Sequence, residues 1–428
     1  MTTVSVMNET AVLTRGSGLP RGVRGAADPA FAWAVRQFAA MFPHRRFGGG
    51  ALSVYLDGEP VVDVWTGWSD RAGRQHWDAD TGAMVFSATK GVASTVIHRL
   101  ADRGLIDYDA PVAEYWHEFG ANGKADITVR EMMSHRAGLS GLPIKAGDDV
   151  RDHLQMEERL AAAPHSALRG HPAYHALTYG WLTSGLARAV TGSGMRELFR
   201  SEIAAPLGTD GLHLGRPPAG AATRAAEIIG PQKIPGLPGI GSWAPTVARH
   251  PSSAFFGAVY FPSMTHAIRG DTPLLDAEIP AANGVATARS LARMYAALIN
   301  GGEVGGARLL SAERAAGLRG RVDLTRDRNL GLPMSFHLGY HASPVPGVLP
   351  GFGHVGLGGS HGWAMPDSGL AIGFVHNRLL TPFLITDQAG FLGTAQLIRR
   401  GAATARARGY RTVSDFGAPY QLPAAVAG

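Results

Sequence analysis

The chain of 428 residues has no cysteine at all, which removes disulfides, thiolate metal sites and a cysteine nucleophile together. Lysine is almost as scarce. Only Lys90, Lys124, Lys145 and Lys233 occur, although Lys and Arg together number 40 and the net charge is +6. The positive charge is therefore arginine, spread along the chain rather than massed in a patch or set in a recognisable module, and this argues against a nucleic-acid partner. Weak contact with an anionic envelope or membrane surface stays open. No stretch approaches the ~20 apolar residues a membrane helix needs. Met1 to Arg24 also lacks a signal-peptide core, so the cytoplasm is the default compartment. The 17 histidines include no His-Glu-x-x-His or comparable paired spacing. That speaks against a metal site, and nothing implies a cofactor.

What remains is 45% hydrophobic and 17% charged, enough to bury one large core or two moderate ones in a globular protein. Against the shortage of lysine, one pair stands out: Ser87 and Lys90 in Met84-Val85-Phe86-Ser87-Ala88-Thr89-Lys90-Gly91. Random placement of these residue types would give only about 0.2 Ser-x-x-Lys pairs in such a chain. Val92, Val96, Ile97, Leu100 and Ala101 then recur at helical spacing, and positions i and i+3 share a helix face. A serine hydroxyl needs a base before it attacks, and a lysine becomes one when burial or neighbouring charge lowers its pKa.

In chain order, Asp28 to Met41 reads as a helix capped by Asp28 and Pro29. Gly48-Gly49-Gly50 follows, then strands Ala51 to Leu56 and Pro60 to Gly67 joined by Asp57-Gly58-Glu59 in a hairpin. Thr128 and Glu131 form a capping box. Helical patterns run from Val150 to Ala162, Thr178 to Val190 and Met195 to Ala205. Prolines break up residues 216 to 270, whose Trp243, Phe255, Phe256, Tyr260 and Phe261 are candidates for lining a pocket or anchoring the segment. A helix from Thr287 to Asn300 is closed by Gly301-Gly302. Strand patterns at Phe336 to Tyr340, Phe352 to Leu357, Ser360 to Met365 and Leu370 to Asn377 precede a helix from Asp387 to about Arg406. Strands at both ends and helices between them predict an α/β domain from residues 1–86 and 285–428, carrying a mainly helical domain at 87–284. No internal repeat is evident.

Phe86-Ser87-Ala88-Thr89-Lys90-Gly91, Met133-Ser134-His135-Arg136-Ala137-Gly138-Leu139, Asn283-Gly284-Val285-Ala286-Thr287-Ala288 and Gly353-His354-Val355-Gly356 carry a resemblance. Together they are more specific than Ser-x-x-Lys. The chain resembles the serine β-lactamase and penicillin-recognising fold, in particular the class C β-lactamase-like family VIII carboxylesterases, from Phe47 to the C-terminal helix. The resemblance implies an antiparallel sheet built from both chain ends and flanked by helices, with an inserted helical domain. It also implies a Ser87 nucleophile and a second motif with a tyrosine. Tyr174 and Tyr179 compete for that place; Tyr174 stands in a loop after Pro172, Tyr179 inside the Thr178 helix. The family's Asn is Ala176 here, beside the pocket candidate His175. Where β-lactamases have Lys-Thr-Gly, this chain has His354-Val355-Gly356. An unperturbed histidine is mostly neutral at pH 7, which moves the expected substrate from a β-lactam to an uncharged ester.

The implied reaction is acyl transfer on a small-molecule or lipid ester. Lys90 and Tyr174 share the proton, and the backbone N–H groups of Ser87 and Leu357 form the oxyanion hole. A β-lactamase or D-Ala-D-Ala peptidase is the alternative, and a non-catalytic scaffold of the same fold the third reading. A rival hydrolase also sits in the chain. Gly358-Gly359-Ser360-His361-Gly362 fits Gly-x-Ser-x-Gly, with Asp367 and His376 following and Gly48-Gly49-Gly50 resembling an oxyanion loop. That reading demands a strand-to-helix turn at the serine, whereas strand patterns flank Ser360 on both sides. Oligomeric state is not legible here.

Overall fold

The computed structural model describes residues 18–44, 47–141, 149–230, 273–320, 322–344, 347–379 and 384–416. Its main sheet has eight strands in the order Arg24–Ala27, Glu59–Gly67, Gly49–Leu56, Leu370–His376, His361–Met365, Phe352–Val355, Tyr340–His341 and Phe336–His337. Every neighbouring pair is antiparallel. Three strands come from the start of the chain and five from its last third, as the alternation at the two ends led one to expect.

The sheet is covered on both faces, and its central strands show how the two faces differ. Leu370, Ile372 and Phe374 point to a core shared with Phe31, Val35 and Phe38 and with Ile398 and Ala402 of the helix Leu384–Arg408. Ala371 and Val375 alternate to the opposite face, against Leu291, Ala292 and Tyr295 of the helix Ala288–Ile299. Large residues face one side and small ones the other because that second helix lies close. A Cβ on Gly373 would stand 2.0 Å from the Ala288 carbonyl oxygen, so any side chain there would push the helix off the sheet.

Local signals explain the element ends. Asp28 Oδ1 accepts from Ala30 N–H at 2.8 Å, opening a 3-10 turn, Pro29–Phe31, that runs into the helix Ala32–Ala40. The hairpin at Asp57-Gly58 holds both residues at positive φ, 53° and 86°, as a two-residue type I′ turn requires. Thr128 and Glu131 close a reciprocal capping box. The predicted strand Phe336 to Tyr340 is instead two short strands: Leu338 and Gly339 take φ of 46° and 86° and fold the segment into a hairpin. A leucine in the left-handed region is rare, so the turn left no trace in composition.

The helical segments pack as Thr89–Asp102, His153–Ala162 and Thr178–Thr191 around one large core. A second sheet joins Leu212–Leu214, Gly284–Ala286, Thr81–Met84 and Arg224–Ala225. It carries the chain from the main sheet to Ser87 and back. Among the described residues no helix is long and apolar enough to cross a membrane.

Candidate active site

Ser87 lies in a 3-10 turn, Phe86–Ala88, between the strand Thr81–Met84 and the helix Thr89–Asp102. The residue before it, Phe86, has φ of 48°. For a bulky side chain this is a strained conformation of the kind found at functional sites. Two bonds hold the turn: Val85 N–H to the Gly284 carbonyl at 2.8 Å and Ala88 N–H to the Val85 carbonyl at 3.1 Å.

One turn further along the helix face, Lys90 is fully buried. Its Nζ is 3.2 Å from Ser87 Oγ, 2.7 Å from the Ala176 carbonyl oxygen and 2.9 Å from that of Ala281. Burial pushes its pKa well below the ordinary lysine value. A neutral amine has two N–H groups and one lone pair. When Lys90 is neutral, the two carbonyls take both hydrogens and the lone pair is left for Ser87.

Burial raises the Tyr174 phenol above the usual tyrosine range, and the Ser87 side chain beside its hydroxyl lowers it by less. Lys90 Nζ lies 5.0 Å from the centre of its ring. Tyr179 is turned away, its hydroxyl 2.6 Å from Ser94 Oγ and its ring against His135. The two tyrosines that the sequence left in competition are thus separated: one reaches the serine and the other braces the helices.

The strand Phe352–Val355 completes the group. A Cβ on Gly356 would stand 2.1 Å from the Val85 carbonyl oxygen, so only glycine lets this backbone approach the Ser87 turn. The approach sets Leu357 beside Ser87 on the wall of one cavity. Among the described residues, neither the Ser87 nor the Leu357 N–H donates to a protein acceptor. Two unpaired donors on one wall can receive an oxyanion.

His354 is buried in the same wall. Its Nδ1 bonds the Val355 carbonyl at 3.2 Å, so Nδ1 carries the hydrogen and Nε2 is an acceptor. Burial first, then the charges His341 and Lys90 would carry, hold its pKa well below the usual histidine value. His341, 4.8 Å away ring to ring, is held at about 4, mainly by burial. Both rings are neutral at pH 7.

The cavity has a volume of about 430 Å³. Tyr174, Leu330 and Phe336 form one wall, Met84, Phe86, Leu357 and Leu379 a second, and Leu349, Trp363 and Phe391 a third. Among the described residues, no Arg, Lys, Asp or Glu lines it.

His175, a pocket candidate from sequence, does not face this cavity. Its Nδ1–H donates to the Ala173 carbonyl at 2.6 Å and its Nε2 accepts from Leu139 N–H at 3.1 Å. Both nitrogens are spent pinning the loop that carries Tyr174. Phe255 and Phe256 lie outside the described residues. The rival serine Ser360 is buried in the sheet, its Oγ bonded to the backbone of His376, accepting from N–H at 3.1 Å. The His376 ring is engaged by the Gly358 carbonyl and Arg378 N–H. No nucleophile–base contact forms there. Among the described residues no cluster of His, Asp or Glu is arranged to hold a metal ion. Sequence reading missed Asp327, buried behind Tyr174 and bonded to its N–H at 2.8 Å; 153 positions separate the two.

Comparison with known proteins gives one picture. The chain is 63% identical over 414 residues, 96% of each chain, to "Esterase/beta-lactamase LipL" of Mycobacterium tuberculosis. Among solved structures, a family VIII carboxylesterase superposes with a TM-score of 0.75 at 30% identity, covering 89% of this chain and 99% of that one. A penicillin-binding protein homolog from Caulobacter crescentus does so with 0.72 at 30% identity, covering 89% and 99%. The beta-lactamase family profile matches residues 31–392, most of the chain, and this protein belongs to that family.

Proposed function

We propose that this chain is a serine carboxylesterase that hydrolyses uncharged carboxylic esters, of short to medium acyl length, through an acyl-enzyme on Ser87. The observation that carries this reading is the cavity at Ser87, apolar on three walls and, among the described residues, lined by no charged side chain. A carboxylate, which β-lactams and peptide termini carry, would enter it unpaired, and burying such a charge is costly. The neutral His354 stands where a lysine would receive it. The esterase names of the relatives point the same way.

In the mechanism, neutral Lys90 takes the Ser87 proton as Oγ attacks the ester carbonyl. The oxyanion forms against the N–H groups of Ser87 and Leu357, where losing a donor typically costs on the order of a hundred- to a thousand-fold in rate. Tyr174 stays a neutral hydroxyl, passes a proton to the departing alcohol and is reprotonated from Lys90. Water then attacks the acyl-enzyme by the same route in reverse, returning Ser87 and the free acid. The cavity lies between a sheet domain, 1–86 with 285–428, and a helical domain, 87–284; we take these as the two units that bring the site together.

The test is turnover of chromogenic acetate and hexanoate esters and of a chromogenic cephalosporin by wild type, Ser87→Ala and Ser360→Ala. Ester turnover lost only in Ser87→Ala is the expected result. Loss only in Ser360→Ala would overturn the site, and cephalosporin turnover rivalling that of the esters would make the chain a β-lactamase.

A further inference from the structure

The turn that approaches Tyr174 from behind is built around one buried carboxylate. Asp327 is fully buried in the loop between the short strands Thr325–Arg326 and Pro333–Met334. Its Oδ1 accepts from Asn329 N–H at 2.9 Å and Leu330 N–H at 2.7 Å, and its Oδ2 accepts from Tyr174 N–H at 2.8 Å. The same turn takes the other backbone group of Tyr174, since Asn329 Nδ2 donates to the Tyr174 carbonyl at 3.0 Å. Arg328 N–H donates to the Pro172 carbonyl at 2.9 Å. Both the donor and the acceptor of the Tyr174 backbone are therefore held by the single turn Asp327 to Leu332. That turn also presents Leu330 and Leu332 to the cavity.

We propose that Asp327, with Asn329, is a positioning residue for Tyr174. It clamps the tyrosine's backbone to the cavity rim and so fixes where the hydroxyl meets Ser87. This rests on the reading of Tyr174 as part of the proton path. The chemistry of the clamp demands a carboxylate. Its two oxygens face three N–H donors on two sides, and an amide of the same shape has only one oxygen. Asparagine would turn an NH₂ group toward an N–H, either at Tyr174 or at the turn. An acid is therefore needed for its two acceptors, not for a proton transfer.

The experiment compares Asp327→Asn, Asp327→Ala and Asn329→Ala, alone and in a Tyr174→Phe background, with thermal melts to establish folding. Each enzyme that keeps Tyr174 is also prepared with 3-fluorotyrosine at that position for fluorine NMR. We expect kcat on the acetate ester to fall roughly 10- to 100-fold in both Asp327 variants with KM little changed, since a misplacement of about 1 Å costs that much. Within the Tyr174→Phe background the same changes add nothing further, and in the enzymes that keep Tyr174 the fluorine resonance shifts or broadens. Asn329→Ala keeps the three N–H bonds and serves if the Asp327 variants do not fold; it should show a smaller loss with the same fluorine signature. A folded variant with wild-type kcat and an unmoved resonance overturns the proposal, and so does an equal loss in the Tyr174→Phe background. If Tyr174→Phe itself retains full activity, the proton-path reading fails. The fluorine resonance then decides the clamp alone, a moved signal supporting it and an unmoved one overturning it.

Discussion

Lys90 reaches Ser87 Oγ at 3.2 Å while its other hydrogen bonds are to two backbone carbonyls. Burial is the dominant cause of its lowered pKa. Ester hydrolysis should therefore fall on the acid side as Lys90 is protonated, and the same limb should persist in His354→Gln. The stability consequence has a definite sign. A lysine whose folded pKa is lowered binds fewer protons in the folded state than in the unfolded one, so stability rises with pH between the folded value and 10.5. The melting temperature of wild type should climb over that window, and Lys90→Met should lose this part of the slope along with its activity.

Tyr174 and Tyr179 differ in what their hydroxyls touch, Ser87 for one and Ser94 for the other. Tyr174→Phe should lower kcat by about 10²- to 10⁴-fold, the usual range for a proton-transfer group, with little change in melting temperature. Tyr179→Phe should do the reverse and cost about 1 kcal/mol of stability for the lost bond. Steady-state kinetics and denaturant melts on the same two preparations check both halves.

Gly356→Ala places a methyl group where the Val85 carbonyl oxygen already is. The strand must retreat, and the Leu357 N–H retreats with it. A fall in kcat of about 10²- to 10³-fold, like the loss of one oxyanion donor, is expected in a protein that still melts cooperatively. A wild-type rate would mean that Leu357 does not serve the oxyanion.

Leu332 is 54% exposed yet lines the cavity, so it can be shortened without opening the core. Leu332→Ala should raise KM for a hexanoate ester several-fold and leave acetate almost unchanged, consistent with roughly 1 kcal/mol of lost apolar contact. Equal effects on both esters would remove the rim from the substrate path.

Much of this was legible in the sequence, for reasons that differ from residue to residue. Ser87 and Lys90 could be paired because a helix fixes the geometry of i and i+3, so spacing alone carried spatial information. The central strands were legible because burial on two faces wrote two alternating patterns, Leu370, Ile372 and Phe374 against Ala371, Gly373 and Val375. Proximity in the chain misled at His175, which sits next to Tyr174 but turns its ring to the Leu139 and Ala173 backbone. It misled again at Leu338, whose left-handed backbone no propensity signals. Asp327 was invisible for the opposite reason: its partner is fixed by a loop packing against another loop, and no local pattern encodes that meeting.

Gly49 and Asn377, whose N–H to Oδ1 bond of 3.0 Å ties the first central strand to the end of the last, stand 328 residues apart. During synthesis the strand Gly49–Leu56 leaves the ribosome long before Leu370–His376, which pairs along its whole length. At roughly 5–20 residues per second that wait lasts on the order of 15–60 s, with an unpaired apolar edge exposed throughout. Closing so long a loop is also slow in a finished chain. Acquisition of the Ser87 site thus waits on the last third of the chain, and a nascent chain stalled short of residue 370 would offer chaperones a three-stranded fragment with its edge still open.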